Sequence, residues 1–403
     1  MDVFVARQPI FDRQQKVYAY ELLFRSSLEN FFSHPDPNLA SAKVISDSFF
    51  LFGMETITGG KRAFINVTRE SLLQEYLAMF PKALTVVEIL ETVEPDEEVI
   101  EACRKLKEEG FLLALDDFVY SDRFIPLVDM ADIIKVDFLG TDVPERRAMV
   151  ERFSGRGIKL LAERVETREE FDLAVNLGYD YFQGYFFSKP VILQKKDIPG
   201  FKLNYLQIIR EINRPELNYD QLEDVIKREV SLSYKLLRYI NSPFFGWKRE
   251  VTSIRHALTL LGDKSVRKWA SLVALASMGS DKPEELVTSA VVRAKFCELL
   301  APKTGLAARE EDLFLMGMFS MIDALVDLPL PEILAEIPIA PEIKGALLGE
   351  MNPLRKVYDV VTAYERGEWD NFRGLCKESG LDEMQTPGFY LDSIDWTTQI
   401  ALN

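Results

Sequence analysis

An α/β TIM-like (β/α)8 barrel over residues 1–198, followed by an all-α domain over 199–403, is the architecture this sequence predicts. Three observations carry the prediction. Short apolar runs alternate with helical stretches through the first half, which implies parallel strands joined by right-handed crossovers. Six of those runs end on an acidic or amide residue. Beyond residue 200 the apolar spacing changes to threes and fours, the period of amphipathic helices.

Taken in order, the chain opens on a hairpin. Gln8-Pro9-Ile10-Phe11 is followed by the polar turn Asp12-Arg13-Gln14-Gln15 and by the run Val17 to Phe24, so one antiparallel pairing enters an otherwise parallel barrel. The buried runs are Phe64-Ile65-Asn66, Val86-Val87-Glu88, Leu113-Ala114-Leu115-Asp116-Asp117, Ile133-Ile134-Lys135-Val136-Asp137, Leu160-Leu161-Ala162-Glu163 and Tyr181-Phe182-Gln183. Helices are expected over 37–53, 69–79, 95–109, 144–154 and 167–177, with Gly110, Gly157 and Gly178 as C-caps. Prolines, a glycine and charges between Ser188 and Gly200 mark the domain boundary. Helical spacing then runs from Leu222 to Ile240 and recurs over 254–261, 266–278, 286–300 and 312–326. Asn241-Ser242-Pro243 stops a helix, and Thr252 or Ser253 caps the next. His256 follows on an apolar helix and reads as a packed core or interface histidine.

Composition narrows the function. A formal charge of −16 over 403 residues disfavours binding to nucleic acid or to an anionic membrane. No signal peptide and no bilayer-length apolar run is visible, and the three cysteines form no CxxC pair, so a cytoplasmic setting with free thiols is expected. Two histidines are too few for a His-rich zinc site, so any metal must take oxygen ligands: Mg²⁺, Mn²⁺ or Ca²⁺. In barrels of this kind chemistry collects at the C-terminal ends of the strands. Several strands ending in acid, amide or amine side chains therefore point to one shared site.

Those residues carry a resemblance. Residues 1–198 resemble the EAL domain, the cyclic di-GMP phosphodiesterase barrel. Tyr20-Glu21-Leu22-Leu23-Phe24-Arg25 stands at the Glu-Ala-Leu signature, Asn66 at the metal-binding Asn, and Glu88-Ile89-Leu90-Glu91 at the Glu-x-x-Glu segment. Asp116-Asp117-Phe118, Lys135-Val136-Asp137, Ala162-Glu163-Arg164-Val165-Glu166 and Gln183-Gly184-Tyr185 follow in family order. The resemblance implies two ions, Mg²⁺ or Mn²⁺, with Glu21, Asn66, Glu88 and Asp116 around the first and Asp117 serving the second. It implies that Lys135 holds or polarises the attacking water and that Glu163 acts as acid/base or second-site ligand. Gln183 would orient ligand or water, Arg25 would contact the dinucleotide's phosphate or guanine, Glu166 would lie at the ligand, and Glu91 would anchor the loop after Asp117.

Three departures follow. Leu22 replaces the signature's Ala and is expected to press on Glu21 or narrow the pocket. Val119-Tyr120-Ser121-Asp122-Arg123 replaces a glycine-containing loop that in the family also supports a homodimer, which weakens the expectation of dimerisation here. Arg164, in place of Gly, adds a bulky cation near the site. The expected function is a cyclic di-GMP phosphodiesterase of weak or regulated activity; the alternative is a non-catalytic receptor or scaffold.

The second half resembles the HDOD domain, most strongly over 230–246 and on through Val251 to Gly262. That resemblance implies a protein-interaction module with an unidentified protein partner. The order EAL then HDOD is that of YuxH-like bacterial signalling proteins.

Overall fold

A computed structural model describes residues 4–25, 54–73, 77, 80–118, 121–188, 200–228, 230–242, 245 and 251–401. The helix expected over 37–53 lies outside that set, as do Val119 and Tyr120. Among the described residues eight strands close a barrel in chain order: β1 (Phe4–Asp12), β2 (Val17–Arg25), β3 (Arg62–Val67), β4 (Thr85–Ile89), β5 (Leu112–Leu115), β6 (Ile133–Asp137), β7 (Lys159–Glu163) and β8 (Tyr181–Gln183). β1 runs antiparallel to both of its neighbours, β2 and β8, so barrel closure adds a second antiparallel pairing to the one the hairpin predicts. The other pairings are parallel.

Helices fill the crossovers, and their ends follow local chemistry. Glu97–Glu109 opens on Asp96, whose carboxylate accepts from the Val99 N–H, and closes on Gly110 in the left-handed region. Val143–Phe153 and Arg168–Leu177 both open in capping boxes, Asp142 with Glu145 and Thr167 with Glu170. Gly178 closes the second of these, but Gly157 closes nothing: the helix before it ends at Ser154, and Gly157 belongs to the turn that leads into β7. A short helix at Ile125–Val128 has too few residues to show a sequence period.

Strand alternation separates two apolar layers. Ile10, Ala19, Phe64, Val86, Ala114, Ile133 and Leu161 fill the barrel interior. Val5, Tyr20, Leu22, Ile65, Val87, Leu113, Ile134 and Ala162 belong to the larger layer between strands and helices. Glu21 and Leu22 therefore face opposite ways. Leu22 does not crowd the pocket; it packs in the outer layer at 1% exposure.

The chain divides into two compact units, and the unit holding the barrel also takes Lys303–Gly305 and Asp359–Thr398. The returning segment covers the start of β1. Phe4 meets Trp369 and Phe372, with ring centroids 6.0 and 6.3 Å apart. The Tyr364 hydroxyl donates to the Val5 carbonyl at 3.1 Å. Gly367 sits so close to Leu23 that an added Cβ would come within 2.8 Å of its Cδ1.

The second unit is helical. Helices Gly200–Ile212, Tyr219–Arg228 and Val230–Ile240 precede the long segment Ile254–Met278, whose helix is broken at Gly262 (φ 72°, ψ 165°). Asn241 holds the connection between them, its amide accepting from the Val251 N–H and donating to the Val251 carbonyl, both at 2.8 Å. Ser253 caps the next helix, as expected. His256 is exposed, so it is not a core residue; Ala257 and Leu258 take the buried positions. Helices Glu284–Leu300 and Glu310–Phe319 touch at Gly317, where a Cβ would lie 2.7 Å from the Ala294 Cα. Among the described residues no helix is long and apolar enough to cross a membrane.

Candidate active site

One step of strand period builds the site. Each interior apolar residue has a polar side chain two positions nearer the C-terminal mouth, because alternate residues share a face. Ala19 leads to Glu21, Phe64 to Asn66, Val86 to Glu88, Ala114 to Asp116, Ile133 to Lys135, Leu161 to Glu163 and Tyr181 to Gln183. The apolar floor thus carries a polar layer, and residues as far apart as Glu21 and Gln183, 162 positions, meet in it.

Lys135 stands at the centre, 1% exposed. Its Nζ lies 3.3 Å from Glu21, 2.9 Å from Asp116 and 2.6 Å from Glu163, and it also bonds Glu88. Glu21 is held from both sides, accepting from Asn66 Nδ2 at 2.9 Å and from Gln183 Nε2 at 2.8 Å. Gln183 also donates to Gln8 at 3.0 Å. Gln8 is a site residue that the strand-end pattern misses. It lies two positions before Ile10 in the strand that runs backwards, so its site end is its beginning.

The electrostatics follow from burial and crowding. Burial pushes the Glu21 carboxyl up, but Lys135 and the Gln183 and Asn66 donors together bring it below its usual value. Glu88 rises far above its usual value, through burial first and then the charge of Glu21. Burial pushes Glu163 up to about 8, against the pull of Lys135. Burial alone would lower Lys135; the surrounding carboxylates hold its ammonium well above its ordinary range.

The cluster fits divalent cations. Four oxygens of the cluster, Asn66 Oδ1, Glu88 Oε2, Asp117 Oδ1 and Gln183 Oε1, are buried with no hydrogen-bond partner among the described residues. Buried acceptors are normally satisfied, and hard cations satisfy oxygen. Ligand atoms of Glu21, Glu88 and Glu163 lie within 4.8 Å of one another, as do those of Asp116, Asp117 and Glu163.

The remaining expected residues sit at the rim or outside the described set. Asp117 follows β5 with φ at 38°, a left-handed backbone. Asp137 ends β6 and bonds Arg164 at 3.0 Å. Glu166 is exposed at the entry of helix Arg168–Leu177, where its N–H donates to Glu170. Glu91 is exposed; downstream of residues 119 and 120, Arg123 reaches Glu94 at 3.0 Å. Arg25 closes β2, and its side chain lies outside the described set. Gly184 shapes the exit from β8: at φ 143° a Cβ would come within 2.1 Å of the Val165 carbonyl oxygen, so only glycine fits.

Comparison with known proteins follows the same division of the chain. Residues 60–190 match the EAL domain model and residues 198–336 the HDOD domain model. Uncharacterized protein YuxH of Bacillus subtilis is 37% identical over 406 residues, covering 98% of each chain. A Vibrio cholerae protein described as cyclic di-GMP phosphodiesterase CdgJ is 35% identical over 403 residues, covering 98% of this chain and 93% of that one. The calcium and cyclic di-GMP complex of Klebsiella pneumoniae BlrP1 is 23% identical over 47% of this chain and 56% of that one, with a TM-score of 0.40.

Proposed function

Because the chain belongs to the family that joins an EAL domain to an HDOD domain, we propose that its barrel is a divalent-metal-dependent phosphodiesterase opening cyclic di-GMP to linear pGpG. One observation carries the reading: the unpartnered buried oxygens of Asn66, Glu88, Asp117 and Gln183 around a carboxylate cluster. The name given to the Vibrio relative supports the substrate.

Glu21, Asn66, Glu88 and Asp116 would hold one ion, and Asp117 with Glu163 a second; Mg²⁺ or Mn²⁺ suits such an oxygen set. When bound, such ions neutralise the phosphate's non-bridging oxygens and acidify bound water. The chain's own groups do the rest. Lys135 fixes four carboxylates and would hold or polarise the attacking water through its positive charge. Glu163 would act as acid/base or as a ligand of the second ion. Gln183 and Asn66 fix the Glu21 carboxylate. Arg25 and Glu166 would contact the dinucleotide and Glu91 would anchor the loop. The helical module would bind a protein partner, and buried Cys103, Cys297 and Cys376, none of them in a disulfide, suit a cytoplasmic setting.

The test is incubation of the full chain with cyclic di-GMP and Mg²⁺ or Mn²⁺, followed by chromatography for pGpG, with Glu21→Ala as control. Product that vanishes in the variant is expected. Binding without product would make the barrel a receptor, and neither would end the nucleotide reading.

A further inference from the structure

We propose that Arg164 is a built-in counter-cation at the second metal position, which an incoming ion must displace, so that this chain takes up its two ions unequally. The inference rests on the metal-dependent reading above. Its guanidinium lies between two carboxylates, 3.0 Å from Asp137 Oδ2 and 3.6 Å from Asp117 Oδ2. Asp117 is the residue assigned to the second ion. Its other oxygen, Oδ1, is buried without a partner, and its ligand atoms lie with those of Asp116 and Glu163 within 4.8 Å. One half of this carboxylate is therefore neutralised by arginine, while the other half waits for a cation.

Backbone geometry keeps the guanidinium there. Arg164 directly follows Glu163 and sits at φ 52°, facing Asp117 at φ 38°. Glycine reaches that region freely; arginine adopts it only at a steric cost. The conformation sends the side chain back over the rim towards the two aspartates. The ion pairs of Arg164 go to Asp117 and Asp137 and not to the Glu21–Asn66–Glu88–Asp116 set; Lys135 touches that set and Glu163 alike, so Arg164 is the cation peculiar to the second position.

The pairs are partly exposed, with 56% of the Arg164 side chain accessible, so the competition is modest. Removing it is expected to tighten the second ion by about three- to tenfold. The full-length protein, freed of metal, is titrated with Mn²⁺ alone by calorimetry, and the spin coupling of adjacent ions is read by electron paramagnetic resonance. In the parent, coupled pairs appear only after the first site fills. In Arg164→Gly and Arg164→Gln they appear at lower Mn²⁺, with the first affinity unchanged. Asp117→Asn abolishes the pairs in either background. Arg168→Gln, which removes another cation beyond β7, one paired with Asp172, leaves the second affinity alone.

Equal second-site affinity in parent and Arg164 variants overturns the inference while leaving the metal reading intact. An equal gain from Arg168→Gln also overturns it, since the effect would then be the general field. No Mn²⁺ binding by any form defeats the metal reading itself, and the inference with it.

Discussion

Among the described residues two lysines are buried to the same 1%, one in each compact unit, and their surroundings differ in kind. Lys202, in the helical unit, pairs with Asp281 at 2.8 Å and donates to the Leu325 carbonyl at 2.7 Å. Asp281 remains 48% exposed, so water shares the neutralisation and the group behaves as structure. Lys135 faces four carboxylates, with unpartnered oxygens behind them. A fold gains nothing from such an excess of negative charge. The contrast teaches that a buried ion pair is weak evidence of function, whereas a buried imbalance of charge is strong evidence that something cationic is meant to arrive.

Substituting both lysines tests that contrast most severely. Lys135→Met leaves the carboxylates without their ammonium, and a loss of about 3–5 kcal/mol in metal-free protein is expected, with turnover abolished. Lys202→Met should cost about 1–2 kcal/mol and keep turnover, because Asp281 can be solvated. Denaturation in chelator, with and without added Mg²⁺, checks both; Mg²⁺ should restore part of the loss only at position 135. Equal losses with equal insensitivity to Mg²⁺ would erase the difference between the two sites.

A second substitution sharpens the division between the barrel's two layers. Leu22→Ala restores the family's alanine but opens a hole in the outer layer. A stability loss of about 2–5 kcal/mol is expected, with kcat unchanged in the folded fraction. A change in kcat comparable to that of a Glu21 variant would show that residue 22 acts on the site after all.

The smallest effect is in pH. In metal-free protein Glu163 titrates at about 8, above its ordinary value of 4.5. A carboxyl raised on folding contributes stability that is full below 4.5 and lost as pH climbs through 8. Metal-free protein should therefore weaken across that interval, and saturating Mg²⁺ should flatten the curve. Binding at about pH 7 should release close to one proton from this group, read as buffer-dependent heat. Heats independent of buffer would contradict the protonated Glu163.

Much of the site is legible in the sequence because its residues end apolar runs, a pattern that strand period alone produces. Asn66, Glu88, Asp116, Glu163 and Gln183 follow it, whereas Glu21 and Lys135 lie inside their runs and share the site's face by alternation. Gln8 breaks it, since β1 enters from the opposite direction and reaches the site at its start. Leu22 misleads by its proximity to Glu21 in sequence, although alternation places neighbours on opposite faces. Arg164 is visible as a misplaced cation, but its partners come from the ends of β5 and β6, and no local rule joins them. His256 and Gly157 mislead for a related reason: helical phase and the length of the preceding helix, not residue type, decide burial and capping.

The return of residues 359–398 to the barrel has a consequence for how the protein can be taken apart. The barrel unit is written in pieces, with the helical module interposed between Lys189 and Asp359. A chain truncated at residue 198 would lack Tyr364, Trp369 and Phe372 and leave Phe4 and the Val5 carbonyl uncovered. The module is thus an interruption rather than an appendage. A deletion meant to isolate the barrel at residue 198 would also strip the residues that cover the start of β1.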